Sequence, residues 1–157
     1  MLSILEGVRM LSEQAQKNVM ALMGESPELL NGFLKLSAAL EGSTLEPVAR
    51  EVVVMTIAVR NGCEVCVAMH TGKLRALDAD PALVDELRAQ RELTDERLEA
   101  ARLFTLDLLA TAGAVPDRRF EEFLSHGYTR RNALEVVMAI GAYTMSTFAN
   151  RLTRAEM

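Results

Sequence analysis

Residues 51–70 read EVVVMTIAVRNGCEVCVAMH: an apolar run, an Asn-Gly break and a segment carrying two cysteines and a histidine. Taken alone, Val52 to Val59 fits either a strand or a buried helix. The run lacks the alternation of a half-buried strand, and it follows Ser43 and Thr44, two capping residues, and Pro47, a first-turn proline. A buried helix is therefore expected, apolar nearly all round, with Asn61-Gly62 as its C-terminal cap. A second helix starting near Gly62 places Cys63 and Cys66 three apart, and Cys66 and His70 four apart, on one face.

Working outward, each flanking segment carries its own helix signals. Ile4, Val8, Leu11, Ala15, Val19 and Leu22 recur at amphipathic spacing and predict a helix ending near Gly24. Ser26-Pro27-Glu28 supplies a cap, a first-turn proline and an acid for a second helix closed by Gly42. After the cysteine helix, which is expected to run to about Leu77, Asp80-Pro81 starts a short one through Leu83, Val84 and Leu87. Thr94, with Asp95 and Glu96 in its first turn, opens another that stops at Ala112-Gly113. Pro116 to Leu124 predicts a short helix closed around Gly127, and Thr129 caps the last one, which reaches about Leu152. No convincing strand, linker or repeat emerges, so residues 1–157 are expected to form a single all-α domain of about seven to eight helices.

Composition bounds the function. At 157 residues, with half of them hydrophobic and a quarter charged, the chain can bury one core. A net charge of −5 and 4% aromatic content offer little to a phosphate backbone or to unstacked bases, so nucleic-acid binding is disfavoured. No apolar run approaches the length of a membrane span, and Met1 to Met10 lacks the pattern of a signal peptide, so a cytoplasmic location is expected. There, a close cysteine pair is more often redox-active or metal-binding than a structural disulfide. The third and last helices are too apolar to be satisfied by packing on one side, so each is expected to be central or buried at a subunit contact. Ala139, Gly141 and Ala142 would permit close helix approach, and a homo-oligomer is expected.

The chemistry follows from the position of the pair. A helix N-terminus carries unpaired N–H groups and partial positive charge, which lower a thiol's pKa from its free value of about 8.5. The offset of three also lets the two sulfurs reach disulfide distance. His70, one turn beyond Cys66, is the natural general base for it. Glu51, the one acid in its helix, could orient the imidazole and stabilise an imidazolium. At 1.5 Å per residue an antiparallel hairpin leaves Glu51 and His70 about 5 Å out of axial register, a gap for a tilted crossing or a bridging water to close. Cys63, Cys66 and His70, with Glu51 as a conceivable fourth, are alternatively ligands of a metal-binding or otherwise non-catalytic module, although this is not a standard zinc-finger spacing. His126, at the end of a short helix, is read as structural.

The pattern of Glu51, eleven intervening residues, Cys63-Glu64-Val65-Cys66 and three more to His70 resembles the AhpD-like alkylhydroperoxidase branch of the carboxymuconolactone decarboxylase family. Weaker likeness extends through Leu45, Arg50 and Leu134 to Val137. The resemblance implies an all-helical trimer or hexamer that reduces hydroperoxides without a bound cofactor. It implies Cys66 as the peroxidatic cysteine, Cys63 as the resolving one, and His70 and Glu51 as the proton relay. It also implies an external dithiol donor, a lipoyl group or a thioredoxin-like protein. The best-known members carry a histidine directly before the second cysteine, where this chain has Val65. The cofactor-free lactone decarboxylases of the wider family generally do not rely on such a pair, which counts against that activity here.

Overall fold

The protein is described by a computed structural model covering residues 4–156, with side chains from residue 13 onward except residue 15. Eight helices form among the described residues, and no strand does: α1 Ile4–Met23, α2 Pro27–Glu41, α3 Pro47–Arg60, α4 Glu64–Ala76, α5 Pro81–Arg88, α6 Glu96–Thr111, α7 Asp117–Ser125 and α8 Arg130–Leu152. The apolar face expected at Ile4, Val8, Leu11 and Ala15 lies outside the residues whose side chains are described.

The chain wraps around α3, which packs against α4, α5, α6 and α8. Three consecutive valines have poor intrinsic helix propensity, because branching at Cβ restricts the side chain against the preceding turn. Burial overrides that preference: every residue from Glu51 to Ala58 is buried. Each fully buried Val, Ile or Met contributes about 1.5–3 kcal/mol, far more than the few tenths lost to propensity. The largest core cluster joins α2, α3, α6, α7 and α8 and includes an aromatic stack. In it Phe123 lies 4.1 Å from Phe104 and 4.5 Å from Tyr128, ring centre to ring centre. The Tyr128 hydroxyl donates to Arg97 O, and burial pushes its pKa up to about 12.

Most helix starts follow the local signals. Ser26 Oγ accepts from Leu29 N, Asp80 Oδ1 accepts from Ala82 N, and Thr129 forms a reciprocal capping box with Asn132. Two starts differ from expectation. α3 begins at Glu46-Pro47 with no side-chain cap, and Thr44 serves another purpose: its N–H and hydroxyl both donate to Glu135 of α8, at 2.8 and 2.5 Å. α6 is capped by Asp95, while Thr94 donates through N–H and hydroxyl to Glu86 of α5. In both cases the threonine joins its loop to another helix, α8 for Thr44 and the preceding α5 for Thr94, instead of starting its own.

Burial alone would raise the pKa of Glu135, but the two Thr44 bonds, Asn132 and Arg131 outweigh it and hold the carboxyl below its usual range. A folded-state pKa depressed in this way contributes stability above the unfolded value of about 4.3 and loses it as the pH falls through the folded value. Glu135→Gln, which keeps one acceptor oxygen of two, is expected to lower unfolding free energy by about 1–2 kcal/mol at neutral pH. Urea titrations should show the gap closing below about pH 4. A gap that persists unchanged in acid would contradict this account.

Of the two strongly apolar helices, α3 is central as expected. α8 divides into two faces. Ala133, Val136, Ala139 and Ala142 are turned onto this chain's own core, whereas Leu134, Phe148 and Leu152 are 70%, 62% and 85% exposed. Gly141 lies on that outer face, with nothing within 4 Å of where a Cβ would stand. His126 caps α7, its Nδ1 donating to Glu122 O.

Candidate functional site

The turn between α3 and α4 sets the site. Gly62 takes φ +67°, a conformation that side-chain-bearing residues rarely adopt, and this reverses the chain within two residues. Cys63 is then the N-cap of α4, and Cys66 lies in its first turn. α8 holds the turn from its other side: Arg151 Nη1 donates to Asn61 O at 2.7 Å, and Asn61 Nδ2 donates to Thr147 Oγ1 at 3.1 Å. Cys63 and Cys66 are joined as a disulfide with Cα atoms 5.3 Å apart, within the ordinary range. The two are 1% and 3% exposed, packed with Val19, Met23, Ala58 and Val65. Both sulfurs stand at the positive end of the α4 dipole, the setting that favours a thiolate on reduction.

Glu51 and His70 meet directly, Oε2 to Nδ1 at 2.7 Å, and both are buried. The expected axial offset is thus closed by the helix crossing itself. With Nδ1 committed to the carboxylate, Nε2 is the nitrogen left for chemistry. The imidazole is also fixed from the side by the ring of Tyr143, edge-on at 5.1 Å. Tyr143 in turn meets Phe33 edge-on and shares a 3.5 Å hydrogen bond with Ser37. Burial holds the Tyr143 hydroxyl above its ordinary pKa, so it stays a neutral phenol.

Cys66 and His70 both line a cavity of about 170 Å³. Its walls are mostly apolar, from Val19, Met20 and Met23 of α1, Leu30 and Phe33 of α2, and Met69 of α4, with the polar Gln16, Ser37 and Lys73 also lining it. Among the described residues no hydrogen bond joins Cys66 to His70; the two face a shared space where a small reactant would stand between them. A wider groove of about 890 Å³ runs between the α1–α2 junction and the end of α8, but neither cysteine, nor His70, nor Glu51 lines it. Among the described residues no group of three or more His, Cys, Asp and Glu is arranged to hold a metal ion. Cys63, Cys66, His70 and Glu51 therefore divide into a disulfide and an acid–histidine pair instead of converging as one ligand set.

The family model for carboxymuconolactone decarboxylases matches residues 27–107, a little over half of the chain. The chain belongs to the carboxymuconolactone decarboxylase family. The matched segment carries α2 to α6 and hence all four residues of the motif, while α1, α7 and α8 lie beyond it. No curated protein matches the chain. At the position directly before the second cysteine, Val65 is buried among apolar neighbours, so this site of the family carries no polar group there.

Three residues of α8 complete the site and were not singled out from sequence for it. Tyr143 packs on His70, Ser146 lines the cavity, and Asn150 Nδ2 donates to Cys66 Sγ at 3.2 Å. A signal for them was present: Tyr143, Ser146 and Asn150 recur at spacings of three and four and so share one face of the helix. No helix among the described residues is long and apolar enough to cross a membrane.

Proposed function

We propose that this member of the carboxymuconolactone decarboxylase family is an AhpD-like thiol peroxidase that reduces alkyl hydroperoxides. The observation that carries the reading is the mostly apolar cavity bordered by both Cys66 and His70, with His70 held by Glu51. A redox-active pair explains the buried disulfide, and the mostly apolar walls suit an alkyl substituent. The Cys66 thiolate attacks the distal oxygen of the hydroperoxide, the O–O bond breaks, and the leaving alkoxide takes the proton of His70 Nε2. Cys66 is left as a sulfenic acid. The Cys63 thiol then condenses with that sulfenic acid: its sulfur bonds to Cys66 Sγ, its proton leaves with the hydroxyl as water, and the disulfide forms. An external dithiol, a lipoyl group or a thioredoxin-like protein, reopens it by exchange. The exposed row Leu134, Val137, Phe148 and Leu152 on α8 supports a homo-oligomer; that it is a trimer or hexamer, acting in the cytoplasm, is part of the same proposal and follows from the family resemblance and the sequence.

The test is cumene hydroperoxide consumption with dithiothreitol as donor, followed by mass spectrometry of the protein after peroxide alone. Turnover, with the oxidised protein lighter by two hydrogens through a Cys63–Cys66 bond, is the expected result. Fully titratable thiols with neither turnover nor disulfide formation would overturn the proposal and direct attention to lactone acids, the substrates of the family's decarboxylases.

A further inference from the structure

We propose that Asn150 is what makes Cys66, and not Cys63, the acidic thiol of the pair. Position on α4 does not by itself favour the second cysteine, since Cys63 is the N-cap and Cys66 lies in the first turn, both at the positive end of the helix. The difference comes from α8. Asn150 Nδ2 donates to Cys66 Sγ at 3.2 Å, and among the described residues no side chain donates to Cys63 Sγ. Asn150 is 2% exposed, and its Oδ1 is buried with no partner among the described residues. The amide thus presents its donor to the sulfur while its acceptor goes unmatched. Turning the amide over would set a carbonyl oxygen against a sulfur that has no proton to give, so the orientation follows from the chemistry.

On reduction the same N–H faces a thiolate, and a hydrogen bond to a charged acceptor is roughly twice as strong as one to a neutral acceptor. Asn150 therefore favours the ionised form of Cys66 and leaves Cys63 unaided. The ionisable side chains around Cys66 are few. His70 and Lys73 of α4 and Tyr143 of α8 line the same cavity, Glu64 lies exposed in the same first turn of α4, Glu51 of α3 stands behind His70, and Arg151 of α8 is committed to Asn61 O. The residues of α1 and α2 packed there, Val19, Met23, Leu29, Leu30 and Phe33, do not titrate. All of these remain in place when Asn150 alone is changed. Asn150 also lies outside residues 27–107, the segment that defines the family match.

The inference rests on the peroxidase reading only for its consequence in turnover, and its test uses no peroxide, so the two can fail separately. Cys63→Ser retains Cys66 and Cys66→Ser retains Cys63; each is titrated with and without Asn150→Leu by following thiolate ultraviolet absorbance against pH. The chain has no tryptophan and two tyrosines, and both phenols are raised, so phenolate does not obscure the signal. In Cys63→Ser the midpoint is expected to rise by about one pH unit when Asn150 becomes leucine, roughly tenfold less thiolate near neutrality. In Cys66→Ser the midpoint is expected not to move. Asn150→Asp, which keeps the shape and replaces the donor with a negative charge, should raise the Cys66 midpoint further and supplies the answer if the leucine variant does not fold. A Cys66 midpoint that stays in place in both variants, or a Cys63 midpoint that moves with it, would overturn the assignment.

Discussion

Replacing His70 with leucine is expected to lower the unfolding free energy by about 3–5 kcal/mol, the usual result of leaving a buried carboxylate without its partner. Glu51 is 4% exposed, sits on the central helix, and has His70 Nδ1 as its hydrogen-bond partner at 2.7 Å. With the histidine gone, that carboxylate is left buried without its hydrogen-bond partner. Glu51→Leu should be milder, because a neutral imidazole left with one unmatched N–H costs about 1–3 kcal/mol. The double leucine variant should recover part of the loss, since no buried charge remains to be matched. Urea unfolding of the four proteins measures this, and a double variant as unstable as the sum of the singles would refute the pairing. Glu51→Gln separates stability from chemistry. It keeps an acceptor for Nδ1 and should fold, yet peroxide turnover should drop about 10²- to 10⁴-fold, the range typical of a disabled proton transfer.

The two cysteines are expected to fail in different ways. Cys66→Ser should lose at least about a thousandfold in turnover, the scale of nucleophile deletion in other enzymes. Cys63→Ser should still consume one equivalent of hydroperoxide and stop at the Cys66 sulfenic acid, which dimedone would trap. The cavity explains the asymmetry, because Cys66 lines it and Cys63 does not. Dimedone labelling of Cys66→Ser, with none in Cys63→Ser, would reverse the roles given to the two sulfurs.

How far this could be read from the sequence depends on the range of each interaction. Ser26-Pro27, Asp80-Pro81, Asn61-Gly62 and Thr129 mark helix ends through bonds to residues a few positions away, and each lies where its local pattern places it. Thr44 and Thr94 carry the same local pattern but are drawn to Glu135 and Glu86, and tertiary bonds of that kind leave no local trace. The Cys63–Cys66 pairing was legible from an offset of three at a helix start. The meeting of Glu51 with His70 was legible only to within the axial offset, because the crossing angle of α3 and α4 depends on everything packed around them. Asn150 is 84 residues from Cys66 and belongs to a helix dominated by apolar side chains. Its three-to-four register with Tyr143 and Ser146 hinted at a shared face, but only the packing of α8 on the α3–α4 turn reveals what that face touches.

The burial of α3 on every side also governs exchange with solvent. Backbone amides in a segment whose residues from Glu51 to Ala58 are all buried have no local route to water, so they trade hydrogen for deuterium only when the whole domain opens. The first turn of α4, next to a reversing loop, is expected to open before α3 does once the disulfide is reduced. The carboxylate of Glu51 is thus expected to belong to the slowest-exchanging part of the backbone, and the reduced cysteines to a faster one. Glu51 therefore holds its histidine from the part of the domain expected to open last.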